Sequence, residues 1–395
     1  MTQTPTEPVH LNFSLSEEQQ LLQETVRRFA EEQVAPRAME MDRTSTFDLE
    51  LWAQMRELGL TGIPIPEDLG GAGMDGLSYI LTVEELARVC GSTALTLAAH
   101  VSLGIFPIEH AGNDAQRRQH VPDLASGEKI GSFGLTEPNA GSDSGGTQTT
   151  AVKKGDRYLL NGTKVFITNA GIGHTFVCTA RTSNEPGSRG ISAFIVEKDF
   201  KGFQLGQKLE KLGTRGSDWA ELVFQDCEVP VENLLGQEGG GFKLFMKTLD
   251  GGRISIGAMA LGLAQGAYER ALKYATERKT FGKPIGHHQA IGFKLADMAV
   301  QIEAARHLVY HSARLKDAGL PFAKQSAMAK LFASEVAMKV TYDAIQVLGG
   351  YGYATEYEVE RFWRDAKLTT IGEGTSEIQR LVISRQILDE AARSA

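Results

Sequence analysis

Cysteine is scarce in this sequence. The 395 residues include three cysteines, Cys90, Cys178 and Cys227, which lie far apart and never form a CxxC pair. A disulfide framework needs a larger set of cysteines, and a cysteine zinc site needs closely paired ligands. The sequence therefore argues against both and fits a reducing compartment.

A targeting segment is also missing from the start of the sequence. The first 20 residues contain no basic stretch, no apolar run and no arginine. Secretory signals and transit peptides depend on such features. We therefore expect a cytoplasmic protein of bacterial type, or a mitochondrial matrix protein if the chain is a processed form.

One uncharged run is long enough to cross a membrane. Residues 89–108 carry no Asp, Glu, Lys or Arg over 20 positions, which is the length of a spanning helix. Small and polar residues interrupt this run, among them Gly91, Thr96, Ser102 and Pro107. The composition predicts a buried core helix and no membrane span.

Strong charge of one sign is lacking as well. The 41 Lys and Arg residues against 49 Asp and Glu residues give a net charge of -8. We find no basic patch of the kind that binds a nucleic acid backbone. Hydrophobic residues make up 42% and charged residues 23%, which excludes disordered and fibrous classes. At roughly 150 residues per domain, the length predicts about two to three domains.

The sequence pattern changes twice, near residue 130 and near Gly241. The first part is helical, with a capping box at Ser16 and Gln19. The last part is helical again, and its residues at spacings of 4 and 3 form the stripe of a bundle helix: Ile291, Leu295, Met298, Ile302, Ala305 and Val309. We predict three domains, at residues 1–127, 128–238 and 239–395.

The middle part reads as β structure. Residues 158–160 and 164–168 flank Asn161-Gly162, which predicts a hairpin with a two-residue turn. Further β-type runs at residues 176–182, 191–196 and 219–224 follow without intervening helices. This order disfavours a parallel nucleotide-binding sheet and predicts a small antiparallel barrel or sandwich.

Several motifs have an ordinary structural explanation. Residues 71–76 match GxGxxG but lack a strand before them and a βαβ unit around them, so we interpret them as a turn. His307 and His311 share a helix face without a third ligand, and we predict no metal site. Residues 356–367 mix acidic and basic side chains and are interpreted as a solvent-exposed face, with a role beside a subunit interface as the open alternative.

Two motifs point to chemistry. Residues 133–143 join an apolar segment to a loop of small and hydroxyl residues, which can bring backbone amides close to a ring or phosphate. Residues 369–379 place Glu373 between two glycines just before a helix capped by Thr375 or Ser376. Burial would raise the pKa of Glu373 and the helix start would lower it, as a base near neutrality requires. Taken alone, each motif also fits a capped turn or a first-turn acid.

Together these motifs resemble the acyl-CoA dehydrogenases over nearly the whole chain, most closely the short- and branched-chain members. The resemblance rests on the order and spacing of six segments: FGLTEPNAGSDS (133–144), KVFITNAG (164–171), LDGGRISIGAMALGLAQGAYE (249–269), ERKTFGKPIGHHQAI (277–291), QVLGGYGYATEYEVERFWRDAK (346–367) and GEGTSEIQRLVI (372–383).

The resemblance implies an α+β fold with an N-terminal helical domain, a central antiparallel β domain and a C-terminal four-helix bundle. It also implies a homotetramer built from dimers, an acyl-CoA substrate, an electron-transfer flavoprotein as partner, and FAD between the β domain and the bundle. The residues implied in FAD binding are Phe133, Leu135, Thr136, Gly141, Ser142, Phe166, Ile167, Thr168, Arg278, Phe281, Gln289, Gln346, Val347, Leu348, Gly349, Gly350, Thr375, Ser376 and Glu377.

Glu373 matches the family's catalytic base. The implied reaction removes the α-proton of an acyl-CoA to Glu373 while the β-hydrogen leaves as hydride to flavin N5, giving a trans-2-enoyl-CoA. Some relatives carry the base at the position that Gly252 occupies here. Glycine has no side chain that could take a proton, so Glu373 is the matching base. The residues implied in substrate binding are Ser142, Asp250, Gly251, Gly252, Arg253 and Gly374.

Two features bear on the acyl group. Residues 89–116 contain no Lys or Arg, whereas glutaryl-type relatives use an arginine in the acyl pocket, so a dicarboxylyl substrate is disfavoured. Gly372 replaces a frequent tyrosine and Phe166 a frequent tryptophan, which leaves the chain-length preference open. Two alternatives also stay open: an acyl-CoA oxidase-like enzyme using dioxygen, and a helical interaction protein without catalysis.

Overall fold

The N-terminal part of the chain is helical, as predicted. The computed structural model describes residues 14–394, so the prediction about a leader falls mostly on residues outside this range. The capping box is confirmed: Ser16 Oγ accepts the Gln19 N–H at 3.1 Å, and Gln19 Oε1 accepts the Ser16 N–H at 3.0 Å. The helices are α1 (Glu17–Phe29), α2 (Ala35–Thr44), α3 (Leu49–Glu57), α4 (Gly76–Ala87), α5 (Gly91–Ala98), α6 (Phe106–Ala111) and α7 (Asp114–Ala125).

The long uncharged run forms an interior helix. Helices α5 and α6 join through a π-helical segment, and 94% of the most apolar window of Gly91–Ala111 is buried. Gly104 lets this helix touch the sheet, since a Cβ there would lie 2.7 Å from Gly131 Cα. His100 adds a polar link, accepting the Gly131 N–H on Nδ1 at 2.8 Å. The predicted core helix is therefore confirmed, and it connects the first helices to the sheet.

The middle part forms one chiefly antiparallel sheet, in the order β6-β7-β3-β2-β4-β5-β8 with β1 beside β4. The β1–β4 and β2–β4 pairings are parallel, and no α-helix separates its strands within the described chain. The strands are β1 (Gly131–Gly134), β2 (Thr150–Lys154), β3 (Arg157–Thr168), β4 (Thr175–Arg181), β5 (Ile191–Glu197), β6 (Phe203–Leu205), β7 (Trp219–Pro230) and β8 (Leu234–Leu235).

The predicted hairpin at Asn161-Gly162 is wrong. Both residues lie inside the continuous strand β3, where the pairing with β7 shifts register between Leu160 and Gly162. Asn161 exchanges two 2.9 Å hydrogen bonds with Asp226, through its side-chain amide, and Gly162 adopts φ 149°. Glycine therefore serves a β-bulge here. The tight hairpin joins β2 to β3, with Lys154 paired to Arg157.

The C-terminal part is a helical bundle. The predicted stripe on α9 is confirmed, since Leu295, Met298, Ile302, Ala305 and Val309 are buried. The elements are α8 (Gly241–Glu277), the short pair β9 (Lys279–Thr280) and β10 (Lys283–Pro284), α9 (Gln289–Asp317), α10 (Ala323–Leu348), α11 (Val359–Thr369) and α12 (Ser376–Ser394). The exact domain boundaries predicted above stay a prediction.

The interpretation of residues 356–367 as a solvent face is wrong for α11. Arg361 and Asp365 are each 1% exposed. Arg361 donates to the Val89 carbonyl at 3.1 Å and 3.2 Å, and Asp365 accepts the Thr214 N–H at 2.5 Å. The charged residues of α11 therefore tie the bundle to the first helices and to the β domain. Charge alternation alone does not distinguish such buried pairing from a solvated face.

Candidate active site

Glu373 lies in a strained turn between α11 and α12. Its φ of 54° is in the left-handed region, as is the φ of 95° at Gly374. A left-handed residue other than glycine costs on the order of 1 kcal/mol, so surrounding contacts have to hold it. Gln379 Nε2 supplies such contacts, donating to the carbonyls of Glu373 at 3.3 Å and Gly374 at 2.8 Å. The turn directs the Glu373 side chain inward.

The Glu373 carboxyl group is buried against α8. A Cβ on Gly252 would overlap Glu373 Oε2 and would lie 3.3 Å from Leu103 Cδ2. Among residues 14–394, Oε2 has no hydrogen-bond partner. Burial raises the pKa of Glu373 to about 7, while the nearby cations Lys330 and Arg253 pull it down. This carboxyl group is therefore poised between its two protonation states near neutral pH.

The space next to Glu373 has an apolar side. Leu103, from the buried helix, lies next to the point where Gly252 and the Glu373 carboxyl group meet. Tyr79 donates its hydroxyl to the Ala98 carbonyl at 3.3 Å, and burial together with the Glu373 charge raises the pKa of this tyrosine. Such a surface suits an aliphatic group more than a charged one.

The predicted substrate residues of α8 are brought beside this space. Arg253 is buried and donates to Asp250 at 2.5 Å, and Gly252 adjoins Glu373. Residues 89–116 contribute no cation, but Lys316 of α9 lies 3.9 Å from the centre of the Phe106 ring. A cation thus approaches the buried helix from another part of the chain, so the argument against a dicarboxylyl substrate covers only part of the surroundings.

The segment from β1 into the following loop, residues 133–142, contains most of the predicted flavin contacts of the β domain. Phe133 stacks on Phe245 of α8 with centroids 4.1 Å apart, and Thr136 accepts the Val165 N–H at 2.9 Å through its carbonyl. Behind this loop, fully buried Lys164 donates to Glu137 at 2.7 Å. Leu135 lies partly buried beside them, whereas Gly141 and Ser142 are exposed on the loop that follows.

The end of β3 offers an exposed ring. Phe166 has φ 61° and is 53% exposed, and it stacks on Trp219 with centroids 5.2 Å apart. Ile167 is buried in the sheet core, so only its backbone faces outward. The Thr168 carbonyl accepts the Ser132 hydroxyl at 2.6 Å. These contacts fix the strand end as a flat, partly apolar surface.

Several of the predicted FAD-binding residues that follow α8 line a cleft of about 690 Å³. Its lining includes Arg278, Val347, Leu348, Gly349 and Gly350. A Cβ added at either glycine would meet no atom within 4 Å in the described chain beyond its sequence neighbours, so both positions are open. Three further predicted residues are absent from this lining: Phe281, which follows β9, Gln289, which begins α9, and Gln346, which precedes the lining residues of α10.

The start of α12 provides unsatisfied polar groups. Thr375 Oγ1 accepts the Ile378 N–H at 3.3 Å, so Thr375 caps the helix. Ser376 Oγ is buried and has no partner in the part of the chain that the structure describes, and Glu377 is exposed. An unpartnered hydroxyl at the positive end of a helix favours an anion such as a phosphate.

These surfaces fit FAD. Exposed aromatic rings suit a flat tricyclic ring, the open glycines of the 690 Å³ cleft admit close backbone approach, and Arg278 and the α12 start suit a pyrophosphate. Residues 14–394 contain no cluster of three or more potential metal-binding side chains, and His307 pairs with Glu303 at 3.3 Å.

Some residues of the site were missed by the sequence reasoning. Glu137 and Lys164 belong to quoted motifs but received no role, and Tyr79, Lys330 and Gln379 were not considered. A lysine among small residues, as in SAMAKLFASE around Lys330, is a local sign of a buried charge. The sequence offered no comparable sign for Tyr79.

Sequence profiles of three domains match this chain. The acyl-CoA dehydrogenase N-terminal domain matches residues 16–128, the middle domain residues 132–227, and the C-terminal domain residues 239–388. The chain belongs to the acyl-CoA dehydrogenase family. Members of this family are FAD-binding oxidoreductases, so the fit of the site to FAD agrees with the family.

Similar proteins within the family cover nearly the whole chain. A short-chain specific acyl-CoA dehydrogenase of Clostridium acetobutylicum is 53% identical over 95% of this chain and 100% of its own. The structure of butyryl-CoA dehydrogenase from Megasphaera elsdenii matches with TM-score 0.94 and 48% identity, over 96% of this chain and 100% of that one. A chain from the structure of the electron transferring flavoprotein of Acidaminococcus fermentans matches with TM-score 0.95 and 51% identity, with the same coverage.

Proposed function

We propose that this protein is a FAD-dependent acyl-CoA dehydrogenase in which Glu373 is the catalytic base. The observation that carries the proposal is the buried, unpaired Glu373 carboxyl group beside Gly252, with its pKa raised to about 7. A base of this kind is strong enough to take a proton and is ionised in a useful fraction near neutral pH.

The protein residues divide the work. The Glu373 carboxylate takes the α-proton of the acyl-CoA, and the apolar surroundings keep water away from it. We assign the Glu373 backbone N–H to the thioester oxygen, where a fixed donor stabilises developing negative charge. When bound, FAD supplies the acceptor for the hydride that leaves the β-carbon, which gives a trans-2-enoyl-CoA.

We assign the cofactor and substrate contacts on the same basis. The Phe133–Thr136 segment, Gly141, Ser142 and the end of β3 from Phe166 to Thr168 would hold the flavin. Arg278, Phe281, Gln289 and residues 346–350 would hold the adenine and pyrophosphate part across a dimer interface, with Thr375, Ser376 and Glu377 at the nearer phosphate. Ser142, Asp250, Gly251, Gly252, Arg253 and Gly374 would contact the thioester arm.

The substrate class is a short-, medium- or branched-chain acyl-CoA. The apolar side chain of Leu103 beside the Glu373 carboxyl group supports an aliphatic acyl group. The names of the similar proteins from Clostridium acetobutylicum and Megasphaera elsdenii point to short chains. Electrons would pass to an electron-transfer flavoprotein. We further propose a cytoplasmic homotetramer, which cell fractionation and light scattering of the purified protein would test.

Anaerobic reduction of the bound flavin tests the function. Butyryl-CoA, isobutyryl-CoA, octanoyl-CoA and glutaryl-CoA are mixed with the purified yellow protein, and bleaching of the flavin is recorded. We expect bleaching by at least one aliphatic thioester and none in Glu373→Gln, which keeps the size of the side chain and loses its basicity. Bleaching of the variant at the parent rate would show that the base is elsewhere.

The two alternatives have different signatures. An acyl-CoA oxidase-like enzyme would form hydrogen peroxide at full turnover in air, whereas a dehydrogenase needs an added electron acceptor. A helical interaction protein without catalysis would purify colourless and would not respond to any thioester.

A further inference from the structure

Lys330 is a buried cation next to the turn that carries the proposed base. It lies on α10, is 0% exposed, and donates from Nζ to the Gly374 carbonyl at 2.7 Å. A buried ammonium group is costly unless it is paired or hydrogen-bonded. Burial lowers the pKa of Lys330, and the charge of the proposed base Glu373 opposes this lowering more than that of Glu377 does.

We propose that Lys330 is a positioning residue for the catalytic base, because it clamps the Glu373–Gly374 turn from inside the bundle and holds a positive charge beside the carboxylate. The proposal rests on the function proposed above. The turn is strained at Glu373, whose φ of 54° is left-handed, so it needs contacts that fix it. One of the two side chains on the Gly374 carbonyl is charged and the other, Gln379, is neutral.

The clamp acts on both groups that Glu373 contributes. The side chain supplies the base, and the backbone N–H of the same residue is assigned to the thioester oxygen. The Gly374 carbonyl lies in the peptide plane between Gly374 and Thr375, directly after the Glu373–Gly374 peptide. Holding this carbonyl in place therefore restrains the turn that directs the Glu373 side chain. A small displacement of a reacting group costs a large factor in rate.

Lys330 also influences the protonation of the base. Four charged or titratable groups face Glu373 or Lys330 from the packed elements: Tyr79 on α4, Arg253 on α8, Lys330 on α10 and Glu377 on α12. Asp250 offsets part of the Arg253 charge through their ion pair. Burial lowers the pKa of Lys330 to about 8, so the lysine keeps its proton at neutral pH and lowers the pKa of Glu373.

Lys330 and Gln379 both donate to the Gly374 carbonyl. Replacing each in turn separates the effect of holding the turn in place from the effect of the positive charge. Lys330→Met removes a donor and a charge, while Gln379→Met removes a donor alone. The rate of anaerobic flavin bleaching is measured against pH for both variants with FAD bound. We expect each variant to lose at least about tenfold in rate. In Lys330→Met alone, the acid limb of the pH profile, which is the pH range where the bleaching rate falls as Glu373 gains its proton, should shift to higher pH by about one unit.

Lys339→Met is the matched control. Lys339 lies on the same helix, is exposed, and pairs with Asp343, so its removal should leave the rate and the pH profile at parent values. A parent-like acid limb in Lys330→Met would overturn the proposal. If Lys330→Met does not bind FAD, Lys330→Gln is measured in the same way, and an unshifted limb there would likewise overturn it. A parent protein that no thioester bleaches would refute the proposed function instead.

Discussion

The carboxyl group of Glu373 occupies the place where a side chain at Gly252 would lie. The two residues come from different helical regions, the turn before α12 and the middle of α8. Glycine at 252 therefore admits the carboxyl group and also leaves Glu373 without a competing acid at the same place. This contact motivates the first prediction.

Gly252→Ala should abolish most of the activity without unfolding the protein. The new Cβ would overlap Glu373 Oε2 and approach Leu103 Cδ2 at 3.3 Å, so the carboxyl group has to move. We expect the rate of anaerobic flavin bleaching to fall by about 100-fold. Gly257→Ala on the same helix is the control. Its Cβ would lie 3.2 Å from Val309 Cγ2 and 3.7 Å from backbone atoms of Ala329 and Lys330, and none of these nearest atoms belongs to Glu373. Equal rates in both variants would contradict the contact.

The bleaching rate of the parent should rise with pH through about 7, the value to which burial raises the pKa of Glu373. The ionised carboxylate is the active form, so activity is lost as pH falls below the pKa of the base and is full above it. Stopped-flow bleaching at low thioester concentration reports this limb for the free enzyme. An apparent pKa near 4.5, the ordinary value for this carboxyl group, would mean that the base is solvated before the substrate binds.

Arg278→Ala should weaken FAD retention. Its guanidinium lines the 690 Å³ cleft with Gly349 and Gly350, and a planar fork suits phosphate. The dissociation constant for FAD, measured by flavin fluorescence after reconstitution, should rise by about tenfold or more. Arg28→Ala, an exposed arginine of α1 outside the cleft, is the control. An FAD affinity equal to that of the parent would remove Arg278 from the assigned contacts.

Lys164→Met should destabilise the loop that carries Thr136. Lys164 is fully buried and donates to Glu137 at 2.7 Å, and Glu137 accepts the Gln148 N–H at 2.6 Å. Removing one partner of a buried pair leaves the other charge unpaired, at a cost of about 3–5 kcal/mol in the free energy of unfolding.

Denaturant unfolding of the two single variants and the double variant measures this coupling. We expect Lys164→Met combined with Glu137→Gln to be more stable than the sum of the single losses predicts. Strictly additive losses would show that Lys164 and Glu137 do not depend on each other.

Much of the architecture follows from local sequence pattern. The predicted return to helical pattern near Gly241 is confirmed, since α8 begins at Gly241. This boundary is predictable because apolar periodicity acts within one helix. The position of Glu373 between two glycines and before a helix is also visible in the sequence, whereas its role as a base was implied by the family resemblance. The error at Asn161-Gly162 is instructive, since the same two residues serve a turn or a bulge depending on what pairs with Asn161.

The sequence by itself determined most of the helices and strands, and it placed Glu373 between two glycines just before a helix. Only the tertiary structure decided the charge environment of that acid. Arg361 reaches the Val89 carbonyl across 272 positions of sequence, and Lys330 meets Gly374 across 44. Local propensity acts over a few residues, whereas desolvation and pairing of charge depend on whatever the folded chain brings within a few ångströms.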